Sequence, residues 1–350
     1  MRLGFDATSL AAEGKGLSRF QREFLRAADA DDLVSELDVF VPSDAALHDL
    51  PVRDGWRYHQ VPATPMIAWE QVRRPRLGRR LRLDAMITTS ERAGLWGPPE
   101  VVYIYEHPKY RVRRSREVGI GARQAIVDLT TLAEFRLTQM RAAAVVAASR
   151  STARDVGTDL VAYSGVSPEF TPAARERTYL LHLASDDPRD NSEVVIDACA
   201  AYGDDAPSLV IAGPIHKLRP ALEARAERLG VKADWRGFQT GEQLVELYRG
   251  AIAYVDPSLY EGFGLQAAEA LACATPVVAS NRTSLPEVVG DGGILVDPRD
   301  IQGFARAMRQ IAEDATLAAE LGRKGVLHAS RFTWAECVRE ILAVCERVLR

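Results

Sequence analysis

Short apolar runs alternate with longer helical stretches along this chain, and they do so in two successive series. The first series predicts strands at residues 2–6, 36–41, 57–61, 84–88, 101–105 and 144–148. The second predicts strands at residues 178–183, 208–212, 233–236, 251–255, 276–279 and 293–296. Strands separated by helices are typical of parallel sheets that are covered on both faces. The chain is therefore predicted to be α/β, with two Rossmann-like, doubly wound domains.

The joint between the two series is expected at residues 163–177, YSGVSPEFTPAARER, which are polar, contain two prolines and show little periodicity. We predict an N-terminal domain at residues 1–170, a C-terminal domain at 171–330 and a final helical segment at 331–350. In open α/β sheets, ligands bind at the carboxyl ends of the strands, so the loops that follow strands are the places to look for chemistry.

Composition excludes several classes of protein. A net charge of −4 over 350 residues gives no case for a nucleic-acid binder. The four cysteines form no C-x-x-C pair and no zinc spacing, which favours a reducing compartment. No apolar signal core is apparent at the start, and no run approaches the roughly 20 apolar residues that span a bilayer. These features predict a cytoplasmic protein.

One loop carries the clearest chemistry. Glu261-Gly262-Phe263-Gly264 follows a predicted strand and precedes a predicted helix that begins near Leu265. Two glycines let the backbone approach a ligand closely, and a helix amino terminus suits a phosphate. Glu261 and Glu269 are good acceptors for sugar and ribose hydroxyls. Backbone donors for phosphate beside two carboxylates for hydroxyls match a nucleotide sugar.

The string PSLYEGFGLQAAEALACATPVVAS, continued by SLPEVVGDGGILVDP, closely resembles the signature of glycosyltransferase family 4, including its E-x7-E motif. GFDATS and GKGLSRFQREFL resemble the first strand and glycine loop of the family, and AYSGVSPEF resembles its linker. The best-matched subset is bacterial and mannosyltransferase-like. The resemblance implies a GT-B fold, with two Rossmann-like domains facing across a cleft and the last helix crossing back to the N-terminal domain.

The resemblance also implies roles for individual residues. Glu261 would hold hydroxyls of the donor sugar and Glu269 the ribose. The backbone of Gly262, Phe263, Gly264 and Leu265 would face the sugar and the diphosphate. The N-terminal domain would bind the acceptor, and the C-terminal domain the donor.

Arg189 fits the position at which the family places an arginine to neutralise the diphosphate, but Asp190 stands where a lysine is usual. A carboxylate beside a diphosphate is unfavourable. The alignment could be shifted by one residue, another cation such as Lys217 or His216 could substitute, or activity could be low or altered.

In the first series, Gly14-Lys15-Gly16-Leu17-Ser18-Arg19 lacks the third glycine of a dinucleotide fingerprint, which argues against a dehydrogenase. Gly16 is the expected donor contact of this loop, since the family turns it toward the diphosphate. His107, after the strand at 101–105, is expected near the reacting sugar, although Glu106-His107 inverts the usual order. Glu261, His107 and Arg189 are the expected catalytic residues.

Arginines cluster at residues 73–82 (RRPRLGRRLR), and a mixed basic cluster follows at 109–116 (KYRVRRSR). These clusters suit an anionic acceptor or peripheral contact with an anionic membrane surface, such as the inner face of a cell membrane. The alternative is a solvated helix face.

No D-x-D motif lies at a predicted strand end, so neither a metal nor a cofactor is expected, and the leaving group would be met by Arg189, the helix terminus and backbone donors. The resemblance implies a retaining transfer of a hexose from a GDP- or UDP-sugar to a hydroxyl of a glycan, lipid carrier or secondary metabolite. The rivals are a GT-B-fold sugar-nucleotide epimerase and a non-catalytic sugar-nucleotide binder.

Overall fold

The computed structural model describes residues 1–10, 16–30, 32–62, 64–89, 92–108, 110 and 122–350. The chain divides into two compact units. Unit 1 comprises Met1–Gly165 together with Trp334–Arg350, and unit 2 comprises Val166–Thr333.

Unit 1 contains a parallel sheet of six strands within the described residues, in the order β3-β2-β1-β4-β5-β6. Its strands are β1 (Arg2–Asp6), β2 (Glu36–Pro42), β3 (Trp56–Val61), β4 (Ala85–Thr88), β5 (Glu100–Ile104) and β6 (Ala144–Ala147). Its helices are α1 (Gly16–Ala30), α2 (Met66–Ala68), α3 (Arg74–Arg80), α4 (Ala122–Arg141), α5 (Arg150–Val156) and the C-terminal α13 (Trp334–Leu349). A π-helical turn, Trp69–Arg73, joins α2 to α3.

Unit 2 repeats the arrangement, with a described sheet of six parallel strands in the order β12-β11-β10-β7-β8-β9. Its strands are β7 (Tyr179–Leu183), β8 (Ser208–Ala212), β9 (Ala233–Arg236), β10 (Ala251–Asp256), β11 (Val277–Ser280) and β12 (Gly293–Val296). Its helices are α6 (Ser192–Tyr202), α7 (Arg219–Arg228), α8 (Gly241–Gly250), α9 (Leu265–Ala272), α10 (Leu285–Val289), α11 (Ile301–Glu313) and α12 (Ala315–Ala329).

Both described sheets share one topology. Read from the β3 edge and from the β9 edge, the strand order within each unit is third, second, first, fourth, fifth, sixth. In this order the chain reverses its direction of travel across the sheet between the first and fourth strands, which is the topological switch point where ligands of such sheets bind. The switch point lies between β1 and β4 in unit 1, and between β7 and β10 in unit 2.

The inner strands of both sheets are buried, as expected for parallel sheets covered by helices, whereas the edge strands β3, β9 and β12 are partly exposed. In unit 2 the core is built of aliphatic and small residues from the strands and of larger side chains from α6 and α11. In unit 1, Phe20 of α1 stacks on Tyr103 of β5 with ring centroids 4.3 Å apart, and Trp334 at the start of α13 packs edge-on against Phe20. The helix α13 is thereby part of the unit 1 core.

The structure agrees with the predicted strands to within two residues at either end. The helix α10 was not predicted, because its five residues are too few to show a periodicity. All four cysteines are buried and none is in a disulfide. Among the residues that the structure describes, no helix combines the length and the apolar character that a membrane span requires.

Candidate functional site

The loop after β7 is closed by its own acidic residue. The Asp190 carboxylate accepts hydrogen bonds from the backbone N–H of Ser185 (2.6 Å) and from its hydroxyl (2.8 Å). Burial raises the pKa of Asp190 even though these two hydrogen bonds oppose the rise. The side chain that stands where the family usually has a lysine is thus turned to the loop backbone, where it fixes the turn.

Asp186, in the same loop, contacts the loop after β8. Its Oδ1 accepts the backbone N–H groups of His216 (2.9 Å), Lys217 (2.7 Å) and Leu218 (3.1 Å). These donors precede α7, and three N–H groups converging on one oxygen form an anion nest. The Lys217 side chain is exposed, so this residue meets the β7 loop through its backbone.

Arg189 is held by Asp187, two residues before it. Its Nε and Nη2 donate to Asp187 Oδ2 at 3.0 and 2.8 Å, and its backbone N–H donates to Asp187 Oδ1 at 3.0 Å. The guanidinium lies 5.8 Å from the ring centroid of Tyr260. The Arg189 carbonyl accepts the N–H of Leu259 at 2.8 Å, which ties the β7 loop to the loop after β10.

The loop after β10 is organised by Asp256. Ser258 donates its hydroxyl to Asp256 Oδ1 at 2.5 Å and its backbone N–H to the same oxygen at 3.2 Å. Further along, Thr283 Oγ1 accepts the N–H of Glu261 at 3.0 Å, and the Ser284 hydroxyl donates to the Glu261 carbonyl at 2.9 Å. The backbone of Glu261 is thus clamped on both sides by the loop after β11.

Gly264 ends this loop and starts α9. Its φ of +94° lies in the left-handed region, and a Cβ at this position would meet Leu285 Cδ2 at 2.9 Å. The glycine is therefore required by backbone conformation and by space. The first turn of α9 contains no acidic residue, and its N-cap carries no side chain. The first N–H groups of a helix have no acceptor within the helix, and they attract anions.

The Glu261 carboxyl lies in an acidic environment. Burial raises its pKa well above the usual value, Asp256 and Asp190 raise it further, and Arg189 and a hydrogen bond from Ser258 oppose the rise. An ionised carboxyl accepts hydrogen bonds, and a protonated one can also donate one. Such a group suits the hydroxyls of a sugar.

Glu269 lies deeper. The residue is fully buried in α9, and its Oε2 accepts the hydroxyl of Tyr248, from α8, at 3.2 Å. Phe263 is also fully buried and packs edge-on against Phe332. The turn therefore directs its aromatic side chain into the unit 2 core, as expected if its backbone is what meets a ligand.

Two residues of the predicted site, Gly16 and His107, belong to unit 1. Gly16 begins α1, is exposed and has no atom within 4 Å of where a Cβ would be. Gly14 and Lys15 lie outside the described residues. His107 follows β5, is half-buried and packs edge-on against Phe135, with ring centroids 4.7 Å apart. Of the basic cluster at 109–116, only Tyr110 lies within the described part of the chain.

The arginine cluster at 73–82 is not uniformly a solvated face. Arg74 is fully buried, and its Nη1 donates to Asp6 (2.8 Å) and Thr88 (3.2 Å) while its Nη2 donates to Glu100 (3.0 Å). A run of arginines gave no signal that one of them belongs to the core. The predicted order of strands contained such a signal, because Asp6 and Thr88 end neighbouring strands and can share one donor.

The sequence also missed the residues that hold the site loops. Asn191 donates through Nδ2 to the carbonyls of Pro257 (3.0 Å) and Pro298 (2.9 Å), which joins the β7 loop to two others. Thr283, Ser284 and Tyr260 were missed for the same reason, since each acts through a partner distant in sequence. Within the described residues, no group of three or more histidines, cysteines or acids could hold a metal ion.

Comparison with known proteins gives a consistent picture. Residues 167–327 match the family model "Glycosyl transferases group 1". The O-antigen chain mannosyltransferase B of Escherichia coli is 29% identical over 75% of this chain and 70% of that protein. Seven further curated relatives are matched over 20–36% of their own length.

Solved structures resemble the whole chain. Sucrose-phosphate synthase from Thermosynechococcus elongatus superposes with a TM-score of 0.77 at 18% identity, covering 99% of this chain and 98% of that one. HepE of Anabaena, solved in complex with UDP-glucose, gives a TM-score of 0.71 at 17% identity over 99% of both chains. These similarities confirm the predicted GT-B fold.

Proposed function

We propose that the chain moves a hexose from a GDP- or UDP-hexose to an acceptor hydroxyl, with retention of the anomeric configuration. The premise is that the chain belongs to the group 1 family of glycosyltransferases. The predicted glycosyltransferase activity follows from that family. The donor classes are supported by a mannosyltransferase relative and by a neighbouring structure that holds UDP-glucose. The acceptor is a hydroxyl of a glycan, lipid carrier or secondary metabolite.

The observation that carries the proposal is the turn at the unit 2 switch point. Glu261, with a raised pKa, and the start of α9 flank Gly264, whose conformation keeps the backbone open. The diphosphate would lie against the first N–H groups of α9, with the Arg189 guanidinium on its other side. Glu261 would take the hexose hydroxyls, and Glu269 the ribose.

These groups are sufficient for the chemistry that a retaining transfer requires. As the bond to the anomeric carbon breaks, negative charge grows on the departing phosphate, and preorganised donors at that position lower the barrier. Arg189 and the amino terminus of α9 supply such donors without a metal or another cofactor. The departing phosphate can then accept the proton of the incoming hydroxyl on the same face of the sugar. His107 and Gly16 of unit 1 are proposed to serve the acceptor side and the diphosphate respectively.

Unit 1 is proposed to meet an anionic acceptor or an anionic membrane surface. Met66 and Ile67 are 58% and 59% exposed, and Ile67 precedes the first arginine of the 73–82 cluster by six residues. Apolar side chains beside cations suit an interface of anionic lipid at the inner face of a membrane. Cosedimentation with phosphatidylglycerol vesicles tests this. We expect binding that weakens with salt, and no binding to either anionic or neutral vesicles would remove the membrane contact.

The activity itself is tested by following GDP-mannose and UDP-glucose by NMR in the presence of a panel of hexoside acceptors. We expect a product whose new linkage keeps the α configuration of the donor, together with release of the nucleoside diphosphate. An inverted product would contradict the mechanism. Conversion of the donor sugar without any acceptor would indicate an epimerase, and tight binding without turnover would indicate a non-catalytic binder.

A further inference from the structure

The loop after β7 contains three aspartates and a single arginine, and each aspartate has a different partner. Asp186 accepts the backbone N–H groups before α7, and Asp190 accepts from Ser185. Asp187 is the one that accepts from the guanidinium of Arg189, at 3.0 and 2.8 Å. The cation of this loop therefore carries its own counter-ion, two residues away in the sequence.

The frame around this ion pair is fixed. The Arg189 carbonyl is bonded to Leu259, and Asn191 is bonded to Pro257 and Pro298. The Asp187 carboxylate also caps the short 3-10 turn Pro188–Asp190 through the Arg189 N–H. The Arg189 guanidinium can change its partner without any movement of the loop. The side chains of Arg189 and Asp187 are both about a quarter exposed, at 23% and 25%.

The guanidinium points to the turn that leads into α9. It lies over Tyr260, and it is close enough to Glu261 to lower the pKa of that carboxyl. A guanidinium presents a planar fork of N–H donors that fits a carboxylate and a phosphate equally well. An anionic group brought to the start of α9 would thus compete with Asp187 for the same donors.

We propose that Asp187 is an internal competitor of the donor's diphosphate, which occupies Arg189 in the empty site and yields it when the donor binds. This inference rests on the proposed function, since it assigns Arg189 to the diphosphate. Donor binding must then break the Asp187–Arg189 ion pair in order to form one between Arg189 and the diphosphate. The apparent affinity for the donor is therefore reduced by the fraction of molecules in which Arg189 is paired with Asp187. Asp187 sets the KM for the donor and speeds release of the nucleoside diphosphate, whereas it takes no part in bond breaking.

The test is calorimetric titration of the full chain with UDP, GDP and inorganic pyrophosphate. In Asp187→Asn, an oxygen remains to cap the turn but the charge is lost. We expect the preferred nucleoside diphosphate to bind about 2- to 5-fold more tightly, the size of a partly exposed ion pair. We also expect a steeper dependence of affinity on salt, because one negative charge beside Arg189 is then removed. The KM for the donor should fall while kcat stays level or falls.

Asp186→Asn is the matched control, because it removes the same charge from the same loop without touching Arg189. If the affinity for the nucleoside diphosphate rises equally in both variants, the effect comes from the net charge of the loop, and the proposal is overturned. Unchanged or weaker binding in Asp187→Asn would also overturn it, while leaving the proposed function intact if the wild type binds and transfers. Failure of every probe to bind any variant would instead overturn the proposed function, and this inference with it.

A second measurement avoids the risk that the variant misfolds. In the wild type, the Nε–H resonance of Arg189, assigned with Arg189→Lys, should shift when the nucleoside diphosphate saturates the site. Asp187→Ser, which keeps a capping oxygen, should give the bound-like shift in the absence of ligand. A resonance that does not move on saturation would contradict the exchange of partners.

Discussion

The two sheets of this molecule have the same strand order, but they treat their switch points differently. In unit 1, the fully buried Arg74 donates to Asp6 at the end of β1 and to Thr88 at the end of β4, so a side chain of the protein bridges the two strands. In unit 2, the corresponding strands β7 and β10 end in loops that are bonded through backbone and surround Arg189 and Glu261.

The difference shows how one topology yields two kinds of strand end. A buried arginine between two buried acids is fully compensated from within, and it makes the edge of the sheet part of the core. An arginine that is about a quarter exposed, and whose acid is a sequence neighbour, leaves the edge accessible to a ligand. The fold supplies the position, and the burial of the cation decides whether the position is structural or functional.

The largest expected effect comes from Arg74→Met. Removing the cation leaves Asp6 and Glu100 buried without their ion pair, so unfolding should become easier by about 3–5 kcal/mol. Arg282→Met is the control, since Arg282 pairs with Asp297 at the surface and should cost about 0–1 kcal/mol. Urea denaturation measures both. Similar values for the two variants would mean that the unit 1 switch point is not held by this ion pair.

Glu261→Gln tests the switch point of unit 2, where we expect an effect on activity. A glutamine keeps the size of the side chain but has an NH2 group where glutamate has a second oxygen, so a sugar hydroxyl that donates there loses its acceptor, and transfer should fall by about 10- to 100-fold, the cost of a buried polar group without a partner. Affinity for the nucleoside diphosphate should stay nearly constant, since Glu261 is assigned to the sugar. Steady-state kinetics and calorimetry separate the two effects. Glu242→Gln, at an exposed position of α8, should change neither, and a comparable loss there would withdraw the role of Glu261.

Gly264→Ala tests the backbone of the unit 2 site. The left-handed φ alone should cost about 1–2 kcal/mol of stability, and the contact with Leu285 would also displace the start of α9. Gly157→Ala is the matched control, because Gly157 is also left-handed, with φ +70° and ψ +42°, and has nothing within 4 Å of a Cβ. Both variants should melt earlier. Only Gly264→Ala should bind the nucleoside diphosphate about 10-fold more weakly, by the loss of one set of charge-assisted hydrogen bonds.

The smallest effect concerns pH. In unit 1, burial opposes ionisation of Asp38, but hydrogen bonds from Arg2 and His59 outweigh it and lower the pKa below the usual 3.8. Its contribution to stability is therefore complete above the unfolded pKa, and it is lost as pH falls through the folded one. In unit 2, Asp190 has a raised pKa, so its contribution declines as pH rises from the usual value toward the folded one.

Urea titrations at several pH values measure the two slopes. The wild type should lose stability as pH falls below 3.8, and Asp38→Asn should remove this loss. The wild type should also lose stability as pH rises just above 3.8, and Asp190→Asn should remove that loss. If the two variants change the pH profile in the same direction, the pKa values of Asp38 and Asp190 are not shifted in opposite directions, and this prediction is wrong.

Much of this arrangement was predictable from sequence. Runs such as AIAYVD and SLVIA are apolar and bounded by loops, so their strands could be located to within a residue or two. The turn at Glu261–Gly264 was predictable because a motif places glycines and acids at fixed spacing. The resemblance to the family was sufficient for the GT-B fold.

What could not be predicted depends on partners distant in sequence. Asp190 reads as an acid facing a diphosphate, and only the geometry shows that it binds Ser185. Arg74 reads as one arginine among many, although it lies in the core. The clamp of Thr283 and Ser284 on Glu261 joins residues 22 and 23 positions apart. A single sequence contains no signal for such pairs.

Hydrogen–deuterium exchange of the full chain, with and without a saturating nucleoside diphosphate, tests most directly that the unit 2 switch point binds the donor. Slower exchange is predicted in residues 185–191 and 257–269, with the largest change in the first turn of α9. Protection confined to residues 2–8 and 85–89 of unit 1, or no change at 257–269 while calorimetry shows binding, would contradict the account.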